Sequence, residues 1–382
     1  MQDLILVWYN IFSPMVKKFT HALLGIWALP ILFFPTHAFA IVDPLSVPNN
    51  KYGIHITDEN DLENAASLVN SSGGDFGYVT MVVTIEDRNI DKWSKIFTRL
   101  EELHLIPILR IATRSQGNFW EKPKDEDAGS WSDFLSQLPW FTKNRYIIIF
   151  NEPNHSKEWG NEINPREYAG ILKKYSMSLK AKSEDFFILG AGLDASAPNG
   201  KTTMDEVTFL RGMLIEEPDI FTYIDGWTSH SYPNPGFAGK PTDVGRGTLR
   251  TYKWEKQVLT SLGVTGNLPA FITETGWAHR EGVSIRADYY TAADVADFIK
   301  IAGDTVWNDP EIVAVTPFIL NYQSFPFSHF SWQELDSDTF YPQFDAYRSI
   351  PKVAGIPTLI LPTSFPSPSI LGQTTKPKNL FT

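Results

Sequence analysis

The sequence contains no cysteine, which excludes disulfides, thiolate metal sites and a thiol nucleophile. An exported protein of this composition must therefore hold its fold without covalent staples, and 382 residues are enough to bury the core that requires. A basic excess is missing as well. Lys and Arg number 33 against 44 Asp and Glu, a formal net charge of −11, so there is no cationic stripe for a phosphate backbone and no nucleic-acid partner is expected. No apolar strand-like run leads into GxGxxG or GxxxxGK[ST], which removes the usual cradle of a nucleotide phosphate. HExxH, EF-hand spacing and the GxSxG elbow are absent too, so neither a metal, a cofactor nor a serine nucleophile is expected. What the chain has in surplus is aromatic surface, 14% of residues including 12 Trp. Such residues either fill a core or present flat platforms to ligands with apolar faces, sugar rings among them.

The first forty residues read as an address. Lys17 and Lys18 precede a 13-residue run, Ala22 to Phe34, free of charged residues, and Ala38-Phe39-Ala40 follows as a small-x-small cleavage site. The expectation is an export signal over 1–40 cleaved after Ala40, with Met15 giving a conventional short basic start, and a secreted or extracytoplasmic protein. An uncleaved anchor is the competing reading, weakened by Pro30 and by a run shorter than the ~20 residues a spanning helix needs. At the other end, Pro362 to Pro368 alternates Pro, Ser and Thr, so residues 351–382 read as a disordered tail or linker. The catalytic-sized remainder, 41–350, reads as one domain.

From residue 51 onward short runs rich in Ile, Val, Phe and Tyr alternate with stretches of helical period, the pattern of repeated β-α units around a parallel sheet. Eight strands are expected: Tyr52–Ile56, Gly77–Val83, Ile106–Ala112, Tyr146–Asn151, Phe187–Gly192, Ile224–His230, Ala270–Glu274 and Ile312–Leu320. Among the helices, Pro165–Lys182 has the clearest start, with Asn164 as N-cap, Pro165 at the first helical position and Glu167 two residues on. Continuous apolar runs rather than alternation imply strands buried on both faces. Eight such units can close into a barrel or lie open as a doubly wound sheet; without a phosphate fingerprint the (β/α)8 barrel, an α/β fold, is the better supported.

Two strands end in a carboxyl group. Tyr146 to Phe150 leads into Asn151-Glu152-Pro153-Asn154, and Phe271-Ile272-Thr273-Glu274-Thr275-Gly276-Trp277 repeats the arrangement three units later. In a barrel, groups at the C-terminal strand ends face one another across the mouth. Two carboxyl groups so placed are what retaining hydrolysis of a glycosidic bond requires, one giving a proton to the leaving oxygen and one attacking the anomeric carbon.

An Asn-Glu-Pro after the fourth strand and a second Glu within Ile-Thr-Glu-Thr-Gly-Trp at the seventh resemble clan A of the glycoside hydrolases, over roughly residues 51–350. The resemblance implies a (β/α)8 barrel and retaining cleavage of β-linked sugars. It further implies Glu152 as acid/base, Glu274 as nucleophile, and Asn151 as a hydrogen-bond partner of the sugar 2-hydroxyl. A third match, Asp225-Gly226-Trp227-Thr228-Ser229-His230-Ser231-Tyr232-Pro233, supplies the His and Tyr many clan members carry on strand six, with Tyr232 placed to bond the nucleophile. One departure is plain: where the clan has a Trp flooring the central subsite after strand eight, this chain has Phe318-Ile319-Leu320-Asn321. Phe318 or Trp332 is expected to fill that role, with Asn321 alongside.

Arg110 and His55, each closing an apolar strand, are further candidate sugar contacts, with structural ion-pairing or packing as the alternative for both. Trp277 is the expected platform by position, a core Trp the alternative, and His230 could equally be a hydrogen-bonded core residue. The expected partner is a polysaccharide or oligosaccharide, handled by a monomer that meets a membrane only through an uncleaved N-terminal segment. A carbohydrate-binding or surface protein on the same barrel is the rival reading, because fold alone does not imply turnover. An aldolase or isomerase would want a strand-end Lys or a phosphate-binding Gly loop, and neither is evident. The separation of the two carboxyl groups discriminates between these readings.

Overall fold

Residues 41–360 are the ones described by the computed structural model; the expected export signal and positions 361–382 of the expected tail lie outside them. Eight parallel strands appear in the expected order: β1 (Gly53–Ile56), β2 (Gly77–Thr84), β3 (Leu105–Ala112), β4 (Arg145–Ile149), β5 (Phe186–Gly190), β6 (Trp227–Ser231), β7 (Ala270–Thr275) and β8 (Ile312–Val315). Continuous pairing links β1 through β5 and, separately, β6 through β8. Both seams are bridged. Tyr52 pairs with Val315 and Leu189 with Gly226, while Val315 N–H donates to Lys51 O and Asp225 N–H to Ile188 O, each at 2.8 Å. The sheet therefore closes, and the barrel expectation holds over the doubly wound alternative.

Between the strands run α1 (Leu62–Val69), α2 (Ile90–Glu102), α3 (Asp127–Gln137), α4 (Pro165–Lys182), α5 (Glu206–Glu216), α6 (Thr251–Ser261), α7 (Ala292–Thr305) and α8 (Pro342–Ser349). The α4 bounds match the sequence expectation because its start is chemically overdetermined: the Asn164 side chain accepts from Glu167 N–H and Pro165 needs no amide partner. Two strand expectations shift. The eighth strand stops at Val315 rather than Leu320, since Pro317 has no N–H to donate and the chain turns there, its carbonyl taking His55 N–H instead. The sixth begins at Trp227 rather than Ile224, after a 3-10 turn over Ile220–Tyr223.

Strand alternation sorts the side chains. Ile106, Ile108, Tyr146, Ile148, Phe187, Leu189, Phe271 and Val313 fill the barrel interior, while Ile147, Ile149, Ile188 and Ile272 face the helical layer. Much of the aromatic surplus is packing: Trp93, Trp131, Trp159 and Trp307 are fully buried. Among the described residues, no helix is long and apolar enough to cross a membrane.

The domain does not stop at residue 350. Gly355 N–H donates to Asp75 O, Ile356 N–H to Pro48 O, Lys143 N–H to Thr358 O and Ile360 N–H to Phe141 O, so residues 351–360 are laid down on the barrel by backbone hydrogen bonds. The expected tail therefore does not begin at 351; the Pro, Ser and Thr text that suggested it runs over 362–368, and residues 351–360 follow an extended path along other segments.

Behind β6, the wholly buried carboxyl groups of Glu206 on α5 and Glu255 on α6 face each other. Glu255 accepts from Trp227 Nε1 at 2.9 Å. Burial pushes the Glu255 carboxyl up to about 7, against the opposing pull of Ser229, Trp227 and His230; burial and Glu255 push Glu206 up, against Arg246. Native pKa values above those of the unfolded chain mean that the native state holds protons the unfolded state has lost. That stabilisation is complete below the unfolded carboxylate pKa and disappears as pH rises through about 7. Glu255→Gln should consequently raise the melting temperature by a few degrees at pH 8 while leaving it within about a degree at pH 4.5. Thermal melts at the two pH values check this, and an equal shift at both would show that no proton is shared.

Candidate active site

The site is assembled at the C-terminal ends of the strands, and each member is placed by a local device. Ile106, Ile108 and Arg110 take successive inward positions on β3, so the guanidinium stands on top of the apolar interior, at 14% side-chain exposure. After β4 the backbone turns through left-handed conformations at Phe150 (φ 68°) and Glu152 (φ 29°), a costly geometry for residues with a Cβ. Hydrogen bonds hold it: Glu152 N–H donates to Gly192 O at 3.1 Å, His155 N–H to Glu152 O at 2.8 Å, and Asn154 Nδ2 to the carbonyls of Asp194 and Met204. Between Ser229 and His230 the β6–β7 register shifts, leaving Thr273 of β7 unpaired and setting His230 opposite Glu274, a change that re-aims both side chains into the mouth. Only glycine fits at 192, where a Cβ would stand 2.4 Å from His230 Nε2.

These devices converge on one network. Both Glu274 oxygens are held, Oε1 by Arg110 Nη1 at 3.0 Å and Oε2 by the Tyr232 hydroxyl at 3.1 Å. Arg110 also donates to Asn151 Oδ1. His230 Nδ1 lies 2.8 Å from Glu152 Oε1 and 3.8 Å from Glu274 Oε2. One oxygen of Glu152, one of Glu274 and a His230 nitrogen lie within 4.8 Å of one another.

Electrostatics differentiate the members. Burial alone would raise the Glu274 pKa, but His230, Arg110 and the Tyr232 hydroxyl hold it below the usual carboxylate range. Burial would lower the His230 pKa, but Glu274 and Glu152 outweigh it and hold the imidazole above its usual value. Burial and the same carboxylates drive the Tyr232 phenol far up, so it stays a donor. His55, fully buried at the base, is pushed down to about 3 by burial and by Arg110 and is neutral; neither of its ring nitrogens finds a partner among the described residues. Glu152, His230 and Glu274 are spaced to ligate a divalent ion, though Arg110 already supplies Glu274 with a positive charge.

Of the residues singled out in the sequence, Arg110, Asn151, Glu152, His230, Tyr232 and Glu274 are brought into direct contact. His55 packs edge-on against Phe318, ring centroids 5.2 Å apart, and Phe318 continues into Phe327 and Phe330 along the rim. Four expectations are not met. Trp277 is no platform: it is 2% exposed, donates Nε1–H to Gly239 O and packs on Phe298 in the helical layer, because Gly276 (φ 114°) turns the chain away from the mouth. Trp332 is also a core residue, edge-on to Tyr347. His55 is 1% exposed, so it supports the floor and does not line the opening as expected. Asn321 bonds Asp61 and Gln323 and none of the six networked residues. Sequence reading missed Glu158, half-buried with Oε2 3.5 Å from Asn151 Nδ2, and the pair His155–Asp194 at 2.9 Å. His155 and Glu158 stand three and six residues after Glu152, but only the 3-10 turn Ser156–Glu158 shows that they fold back.

No family model and no curated protein matches this sequence. Solved structures do match. A glucosidase from Croceicoccus marinus aligns at TM-score 0.57 and 12% identity over 81% of this chain and 65% of that one. A GH5_18 protein from Streptomyces cattleya aligns at 0.54 and 14% over 80% of each chain, and a GH39 beta-xylosidase from Caulobacter crescentus at 0.50 and 14% over 79% and 71%. The likeness at such identities is one of fold. In fold, then, the chain is similar to the (β/α)8 glycoside hydrolases of clan A, the superfamily its two carboxylate motifs resemble, with no single family assigned.

Proposed function

We propose that the protein hydrolyses O-glycosidic bonds of a β-linked polysaccharide or oligosaccharide with retention of configuration, outside the cytoplasm. The observation that carries this reading is the approach of Glu152 and Glu274 oxygens to within 4.8 Å. That matches the roughly 5 to 5.5 Å of a nucleophile and acid/base pair and falls short of the ~6.5 to 9.5 Å an inverting enzyme needs to admit water. A binding module has no use for two carboxyl groups so close.

Glu274, ionised and pinned by Arg110 and Tyr232, attacks the anomeric carbon. Glu152, its Oε1 2.8 Å from His230 Nδ1, gives a proton to the departing oxygen. Once Glu274 is an ester its charge is gone; Glu152 then takes a proton from water, which attacks the same carbon and releases Glu274. Asn151, locked by Arg110, binds the sugar beside the reacting carbon, and Phe318 with its aromatic neighbours forms the wall against which the ring rests.

Reducing-sugar release by the protein lacking residues 1–40, across a panel of β-glucans, mannans, xylans, galactans and exopolysaccharides, tests the reading. Release from one polymer with retained anomeric configuration by NMR is the expected result. A folded protein that binds a polymer and releases nothing from it would return the reading to a carbohydrate-binding protein.

A further inference from the structure

Four carboxyl groups crowd the mouth, and three have a basic side chain of their own. Glu274 has Arg110 at 3.0 Å, Glu152 has His230 at 2.8 Å, and Asp194 has His155 at 2.9 Å. Glu158 has none: among the described residues no Lys, Arg or His nitrogen comes within 4.0 Å of it. Its one side-chain hydrogen bond is the long contact from Asn151 Nδ2. The carboxyl group is not simply a loop residue in solvent. Its backbone is fixed by Glu158 N–H to His155 O at 3.0 Å and by the next residue, Trp159, wholly buried and bonded through Nε1 to Glu167 at 2.9 Å. Burial and the neighbouring Glu152 raise its pKa, with Arg110 and Lys157 opposing, so the ionised form is short of compensation until something positive arrives.

The position of Glu158 says what that would be. A sugar with its anomeric carbon between Glu152 and Glu274 carries its second ring carbon one bond away. On the glycosidase reading, Asn151, adjacent in sequence to Glu152 and joined to Glu274 through Arg110, is the residue that meets the substituent on that carbon. Arg110 holds the Asn151 oxygen, so the amide presents its nitrogen toward Glu158, and donor and acceptor stand side by side. We propose that Glu158 is a specificity-determining residue that receives a protonated amino group on the second carbon of the sugar, and that the preferred glycan carries free amino sugars. The proposal rests on the glycosidase reading for the placement of the ring. A net charge of −11 on the chain suits a cationic polymer and disfavours a uronic-acid one.

Three β-1,4 pentasaccharides that differ only at the second carbon make the test: cellopentaose with hydroxyl, the glucosamine pentamer with amine, and its acetylated form. Calorimetric binding at pH 6 to Glu152→Gln, with and without Glu158→Gln, is measured beside turnover by the otherwise unaltered enzyme. The amine oligomer should bind at least about tenfold more tightly than the other two, and E158Q should cut that ratio by about tenfold, as loss of a charge-assisted contact does. Should the amine preference depend on Glu158 while no oligomer is cut by the wild type, the hydrolase reading fails and this one stands. A ratio that E158Q leaves unchanged, a wild-type preference for hydroxyl or acetamide, or no binding of any oligomer would overturn it.

Discussion

Glu274→Ala is expected to lower kcat by about 10⁵-fold on any substrate the enzyme accepts, because no other group can form the covalent intermediate. The loss alone is ambiguous, since the substitution also leaves Arg110 half-buried without its carboxylate and could disturb Asn151. Two controls separate chemistry from collapse. Glu274→Gln keeps the side chain's shape and can still accept from Tyr232, yet cannot attack, and should be as inactive as alanine while circular dichroism shows the protein still folded. In Glu274→Ala, azide should restore part of the rate on an activated β-glycoside by entering the vacated space, yielding the α-glycosyl azide. Product of β configuration, or no rescue in a folded protein, would remove Glu274 from the nucleophile's role. The pH profile carries the same assignment. Because His230, Arg110 and Tyr232 together hold Glu274 below the usual carboxylate range, the acid limb of kcat/KM belongs below about pH 4.5, the ordinary glutamic value.

How far the sequence could carry this site depended on where the information lay. Glu152 and Glu274 were legible because each closes an unbroken apolar run, and an apolar strand followed by a lone carboxyl group places that group at a barrel's rim whatever surrounds it. Tyr232 and His230 were legible only through the third match to the clan, since they sit in the polar run Thr228 to Ser231 and just after it, and the register shift that sets His230 opposite Glu274 leaves no mark in composition. Trp277 was misread for an instructive reason. Its position just past Glu274 suggested the mouth, but a glycine at φ 114° redirects the chain, and one residue of left-handed backbone moves a side chain from one layer to the next. Glu158 was invisible because a seven-residue separation implies nothing until a 3-10 turn brings it back to Asn151. The boundary at 350 failed because text with Pro, Ser, Thr and isolated apolar residues describes an extended backbone without saying whether other backbone groups are there to bond it, as those of Pro48, Asp75 and Phe141 are.

The second large effect concerns Glu152, and its size should depend on the substrate. Protonating the leaving oxygen matters only when that oxygen is a poor leaving group. Glu152→Ala should therefore lose about 10³- to 10⁴-fold in kcat on a polysaccharide or alkyl glycoside, the usual contribution of a general acid. On a dinitrophenyl glycoside it should lose far less in the first step. With that substrate the intermediate on Glu274 forms and then waits, because nothing activates water, so KM should fall together with kcat. Azide, which needs no base, should restore turnover and give the β-glycosyl azide, opposite in configuration to the product from Glu274→Ala. The fold should survive the change. The left-handed turn at 152 is held by backbone bonds to Gly192 and His155, not by the carboxyl group, and Glu152→Gln leaves His230 Nδ1 an acceptor across the same gap. Equal losses on good and poor leaving groups, with no rescue, would mean that Glu152 only positions His230, and the proton would have to come from the imidazole, whose pKa Glu274 and Glu152 hold above its usual value.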